Sequence, residues 1–287
     1  MLCSSINLCE EMKFPVMRWF RKKTGRFESY YLFPQAQKKW WICPLHALAS
    51  LLYLEENPSQ ALFPGCKSGG AMLNDLLQKI EVLFDIDASS PLRGILTFLR
   101  KGIRTHSGRK KGHHILVESG APVVWINSHT SNSKDRSDVT ECYRHGSLLV
   151  ARACGRIMAG WHKSSGADFL WKYDRGGICA DANALPVQMR EDFITFSSNA
   201  FASVKFETEE AQGQLQDILA AVLVASYPDA LSKLPSCRLV KKLLSDIGGS
   251  EEDGAVKRHA MVTEWAQHID AYFVAQNFNE VSLRAPF

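Results

Sequence analysis

The sequence predicts a mainly α-helical chain with a small β-hairpin, an α+β fold, on three observations. Several segments place apolar residues at helical spacing. One early segment, "FPVMRWFRKKTGRFESYYLFP" (14–34), has two arms rich in aromatic and β-favouring residues around the turn "KKTGR". Beyond residue 205, "ETEEAQGQLQDILAAVLVASY", "LPSCRLVKKLLSDIGG" and "AMVTEWAQHIDAYFVAQNF" read as three helices, separated by "PDALSK" and "GGSEEDG".

Taken in order, the hairpin is followed by a connection, "QAQKKWWICP", that ends at a proline. Pro44 then opens a helix, "PLHALASLLYLEE", at a first-turn position where its missing N–H costs nothing. "NPSQALFPGCKSGG" is a loop punctuated by Pro and Gly. "AMLNDLLQKIEVLFDI" carries Met72, Leu73, Leu76, Leu77, Ile80, Leu83 and Phe84 on one helical face. "SPLRGILTFLRKGI" is a second amphipathic helix, with Ser90 as its cap. The helix after "THSG" carries Ile115, Leu116 and Val117 and ends at Gly120. "PVVWINSHTSNSKDRSD" is a short apolar run followed by a polar loop. The chain therefore divides, in expectation, into a domain over 1–204 and a helical extension over 205–287.

Composition sets the outer bounds. The 287 residues are 46% hydrophobic and 22% charged, enough for a packed core, and the net charge of +4 is mildly basic. The distribution says more than the total. Residues 13–26, "KFPVMRWFRKKTGR", hold six Lys or Arg and no acid. Residues 99–114, "LRKGIRTHSGRKKGHH", are again basic, with three His and no acid. Acids gather later, in "KFETEE" and "GGSEEDG". This pattern reads as an anion-binding front half. Eight cysteines contain no CxxC pair, which argues against a zinc ribbon and for buried, reduced thiols. No secretory pattern opens the chain and no apolar run reaches the ~18 residues of a membrane span. The expectation is an intracellular protein, nuclear if eukaryotic, with no membrane partner.

The stretch with the most chemistry is "THSGRKKGHHILVESGAP". It sets His106 and Arg109 three residues apart at the start of a helix. An arginine keeps its charge at any working pH and forks two bonds to phosphate oxygens. The first helical turn adds unpaired N–H groups and the positive end of its dipole. A histidine exchanges a proton near neutrality. Such a group would hold a phosphate and stabilise charge building on it. The plainer reading of the same residues is a solvated basic face.

Three stretches together resemble the catalytic domain of tyrosine recombinases, in the mobile-element, Crypton-like branch. "RWFRKKTGRFESYYLFP", with "WWICPLHALASLLYL" and "LFPG" after it, resembles that family's hairpin, its Cys-Pro helix entry and its "lFP" loop. "THSGRKKGHHILVESGAP" resembles its "tHS-x-RKG" box, and "SNSKDRSDVTECYRHG" with "ACGRIMAGW" resembles its tyrosine segment. The likeness covers about residues 14–165. It implies the tyrosine-recombinase catalytic fold and DNA strand cleavage and rejoining through a 3′-phosphotyrosine, with no metal and no nucleotide cofactor. It implies Lys23 as the proton donor to the leaving 5′-oxygen, with Lys22 as its neighbour. It implies His106, Arg109 and His129 on the scissile phosphate and Tyr143 as nucleophile, 34 residues after Arg109. Tyr173, in "GWHKSSGADFLWKY", is the rival nucleophile. Lys22, Arg26, Lys110 and Lys111 become DNA-backbone contacts. Double-stranded DNA is the implied partner, with a homo-oligomer assembled on it.

The sequence departs from the family in three places. The family's first catalytic arginine precedes the hairpin, but "MLCSSINLCEEMK" has none, and Arg18 and Arg21 fall inside a hairpin arm. The expectation is an N-terminally truncated recombinase, lacking that box and the core-binding domain, with its activity in question. "HSGRKKG" stands in place of a plain "RKG", and the loop around His129 lacks a Gly-Trp or Gly-His step. Two other readings stay open: a non-catalytic DNA-binding remnant, and a helical interaction protein whose basic stretches are solvated.

Overall fold

A computed structural model of the chain describes residues 6–9, 14–21, 26–36, 39–54, 107–130, 148–161, 177–206, 209–247 and 254–278, together with Gln78, Arg93 and Thr97. The expected hairpin is present. β2 (Phe14–Arg21) pairs antiparallel with β3 (Arg26–Tyr31), from Val16 opposite Tyr31 to Arg21 opposite Arg26. A strand not expected from the sequence, β1 (Ile6–Cys9), completes a three-stranded sheet in the order β1-β2-β3. Its reason is alternation: Ile6 and Leu8 are buried while Asn7 between them is half-buried.

The remaining described elements are helical. They are α1 (Pro44–Leu54), α2 (Ser107–Glu118), α3 (Val123–Thr130), α4 (Leu148–Met158), α5 (Val187–Ala200), α6 (Glu209–Lys233), α7 (Arg238–Asp246) and α8 (Gly254–Phe278). Pro44 opens α1 as expected. Gln78, Arg93 and Thr97 stand on helical backbone with exposed side chains; the rest of the two helices expected around them lies outside the described residues.

By packing the chain forms two compact units, Met1–Leu62 with Ala151–Lys163 and Ala167–Phe287, and Phe63–Val150 with Ser164–Gly166. The boundary expected at 204/205 therefore falls inside the first unit. There α6 is the hub. Leu215, Ile218, Leu219, Leu223, Val224 and Tyr227 are all fully buried, which requires a helix surrounded by others. It packs on α1, α5 and α8 and touches α7 and β1. Trp265 of α8 meets Phe193 edge-on at 5.4 Å and Phe196 at 6.0 Å. Tyr53 of α1 lies 6.0 Å from Phe201 and donates to Asp246 Oδ2 at 2.8 Å.

The break expected at "PDALSK" does not occur. α6 runs through Pro228 to Lys233. A proline removes one helical hydrogen bond, and here the turn beyond it is fastened from outside. Trp40 Nε1 donates to Asp229 Oδ2 at 2.5 Å, Lys233 pairs with Asp229 at 2.8 Å, and Ala230 is buried.

Phe33 closes the same unit on its sheet side. A Cβ at Gly155 or at Gly177 would lie 2.7 or 2.6 Å from the Phe33 ring, so both positions need glycine, and Gly177 also has φ of 78°. Arg156 stacks over that ring at 5.3 Å, and Trp161 Nε1 donates to Pro34 O at 2.8 Å.

In the second unit α2 packs on α3. α2 ends as the sequence predicts. Gly120 takes φ of 75°, its N–H donates to Val117 O at 3.0 Å, and that of Ala121 donates to Leu116 O at 3.0 Å. Leu116 and Ala121 are buried beside Trp125 and Ile126, whereas Val117 faces out.

Candidate functional site

The sequence-predicted site residues divide between those the structure describes and those it does not. Lys22, Lys23, His106, Tyr143 and its rival Tyr173 lie outside the described residues. Arg26 opens β3, opposite Arg21. Arg109 is the third residue of α2, whose first turn holds no acid, and Lys110 and Lys111 follow it with exposed side chains. His114 pairs with Glu118 at 3.2 Å one turn on. His113 is half-buried, and its Nδ1 has no hydrogen-bond partner among the described residues. His129, expected in a polar loop, instead stands in the last turn of α3, because the apolar run from Val123 continues as helix to Thr130. The hairpin and α2 belong to different compact units.

A second feature has no counterpart in the motif reading. In the first unit, small residues of α6 and α8, among them Ala221, Ala225, Ser226 and Ala266, line one open space. The space they leave is a cavity of about 360 Å³. Trp40, Cys43 and His46 line it from the 40–46 segment, Cys179 and Ala180 from another side, and Phe273 from α8. Its polar lining includes Gln35, Gln267, Asp229 and Asp270.

His46 and Ser226 invite comparison with a nucleophile and its base, but the hydrogen bonds run the other way. Ser226 Oγ donates to Leu223 O at 2.8 Å, so it accepts from His46 Nε2 at 2.8 Å. His46 Nδ1 is then the acceptor for Ser50 Oγ at 3.4 Å. Burial pushes His46 down to about 4, so the ring is neutral at pH 7. A histidine that donates to a serine does not take its proton. The pair fastens α1 to α6.

The thiols are equally quiet. Cys43, Cys154 and Cys179 are buried and free, and Cys237 is half-buried. Burial pushes Cys154 up to about 12. Burial also raises Cys179, with Cys43 and Asp181 adding to the effect. Neither is a thiolate at neutral pH, and the thiolate is the reactive form. The Asp229 carboxyl is held below its ordinary range, first by the hydrogen bond from Lys233 and then by that from Trp40. Deeper in the core, Ser197 Oγ donates to Asp217 Oδ1. Burial nevertheless pushes Asp217 up to about 6, against the lowering effect of that bond and with a further push from Asp181.

Among the described residues no three of His, Cys, Asp and Glu group to hold a metal ion, and no helix is long and apolar enough to cross a membrane. No family model matches the chain, and neither a curated protein nor a solved structure matches it.

Proposed function

We propose that this chain binds double-stranded DNA as a protein of the tyrosine-recombinase kind, with α2 as its main phosphate contact. The observation that carries the reading is the start of α2. Arg109, Lys110 and Lys111 follow one another in its first two turns, both lysines are exposed, and the first turn holds no acid. Positive side chains and the positive helix end then add at one place. The hairpin supports it, since the basic residues Arg18 and Arg21 of β2 and Arg26 of β3 flank Lys22 and Lys23 in the sequence.

In the reaction this reading assigns, the Tyr143 hydroxyl attacks the DNA phosphorus and the bond to the 5′-oxygen breaks. Lys23 supplies the proton to that oxygen, while Arg109 and His106 hold the non-bridging oxygens. His129 completes the phosphate set. The protein is left joined to a 3′-phosphate, with a free 5′-hydroxyl opposite.

The test is a nicked suicide substrate carrying candidate element ends, read as a covalent protein–DNA band on a denaturing gel. The expected result is a band that Tyr143→Phe abolishes and Tyr173→Phe leaves. A band lost only in Tyr173→Phe would move the nucleophile. Salt-sensitive binding with no band in any protein would refute the cleavage step and leave the DNA contact standing.

A further inference from the structure

We propose that the cavity lined by α6 and α8 binds a compact uncharged molecule, an alicyclic or aromatic skeleton carrying at most one hydroxyl. A volume of about 360 Å³ is that of a small-molecule pocket. Space on that scale is rare inside a protein, because its walls lack the contacts that packed neighbours give. α6 does not lack large side chains: Leu215, Ile218, Leu219, Leu223 and Tyr227 are all fully buried. Its wall of the cavity is instead Ala221, Val222 and Ala225, and α8 supplies Ala266, Ile269 and Phe273. The Trp40 and His46 rings, 5.1 Å apart, stand on another side, and Cys43 and Cys179 add thiols that pack as small apolar groups. Ala225, Pro228 and Gln267 are exposed members of the lining, which gives a ligand its entry.

The polar groups of the lining are already engaged. Ser226 Oγ accepts from His46 Nε2 and donates to Leu223 O, so its proton and an acceptor site are used within the protein. Asp229 accepts from Trp40 and pairs with Lys233, and Asp270 is engaged as well. A charged ligand would leave its water and find these carboxylates committed elsewhere, which is costly. A neutral apolar one gives up little on leaving water and gains the missing contacts. The walls are also held in place before it arrives. Trp40 is tied to Asp229, His46 to Ser226, and Phe273 rests against the Trp161 ring at 5.6 Å.

Three probes share one apolar cage and differ in charge: 1-adamantanol, 1-aminoadamantane and 1-adamantanecarboxylate. Each is titrated into the full chain at pH 7 by calorimetry, at low and at high salt. The alcohol should bind with a negative heat-capacity change and the same affinity at both salts, as burial of apolar surface requires. The amine and the carboxylate should each bind at least about tenfold more weakly. Ala225→Leu places a larger side chain on the lining at an exposed position and should weaken the alcohol by more than about tenfold. Ala225→Val should act in the same direction and less strongly. Melting curves show that each variant compared is folded. Either charged probe binding as tightly as the alcohol overturns the proposal. So does alcohol binding that survives both substitutions in folded protein, or its absence from a wild-type protein that melts cooperatively.

Discussion

The neutral, buried His46 makes stability depend on acid in a way that can be calculated. In the unfolded chain the ring titrates near 6.5, whereas burial holds it at about 4 in the folded protein. Between those values the unfolded state carries a proton that the folded state refuses. Folded-state affinity is depressed, so the stabilisation is complete above 6.5 and is lost as pH falls toward 4. At about 1.4 kcal/mol per tenfold difference in proton affinity, the gap is worth about 3 kcal/mol. The perturbation is His46→Gln, which retains an amide able to donate to Ser226 but has no proton to gain. Urea unfolding followed by tryptophan fluorescence, at pH 7.5 and pH 4.5, gives the stability of each protein. The variant loses some packing at every pH, and that loss cancels when the two pH values are compared. Wild type should fall relative to the variant by about 2.5 kcal/mol between them, because pH 4.5 stops short of the folded-state value. Parallel behaviour of the two proteins would show that the folded state admits the proton, and the argument from burial would fail.

Asp217 works in the opposite sense. Its folded-state value is raised to about 6 from 3.8, so its penalty is full above 6 and gone below 3.8. Asp217→Asn, which still offers Ser197 an acceptor, should stabilise by about 1 kcal/mol at pH 8 after allowance for partial exposure. Denaturation curves at pH 4 should show that gain shrinking. Gly155→Ala drives a methyl into the Phe33 ring and should cost about 1–3 kcal/mol. Gly177→Ala should cost more, because it adds a positive φ to the same clash; calorimetric melting ranks the two. Lys110→Gln with Lys111→Gln should weaken DNA binding for every sequence tested and lower the log–log salt slope by about two, read by fluorescence anisotropy across a salt series.

What was legible in the sequence was what local rules control. The hairpin was, because β-favouring arms around a Gly-containing turn have few other uses. The Pro44 start of α1 and the Gly120 end of α2 were, because each rests on one residue's backbone chemistry. β1 was not, since four residues of alternation are too few to notice until a sheet edge receives them. At Pro228 the local rule predicts a break in α6, but the bond from Trp40 to Asp229 that fastens the turn beyond it joins residues remote in sequence. Asn, Ser and Thr around His129 predict a loop, yet the helix begun at Val123 runs through them to Thr130. The phosphate box was visible as residue types, but a motif states no geometry. The cavity was invisible for a different reason: it is made by alanines, and alanines in helices draw no attention until two helices face each other.

The central place of α6 also bears on how the chain folds during synthesis. α1, on which Leu45, Leu52 and Tyr53 are buried, packs on a helix that begins at Glu209, some 150 residues later. A nascent chain emerging from the ribosome therefore holds an exposed α1 and an unsupported sheet until most of the polypeptide has been made. Contacts so distant in sequence slow folding and prolong the interval in which apolar surface is open to strangers. This protein should thus lean on chaperones early in its life, and fragments ending before Glu209 should aggregate when the intact chain does not.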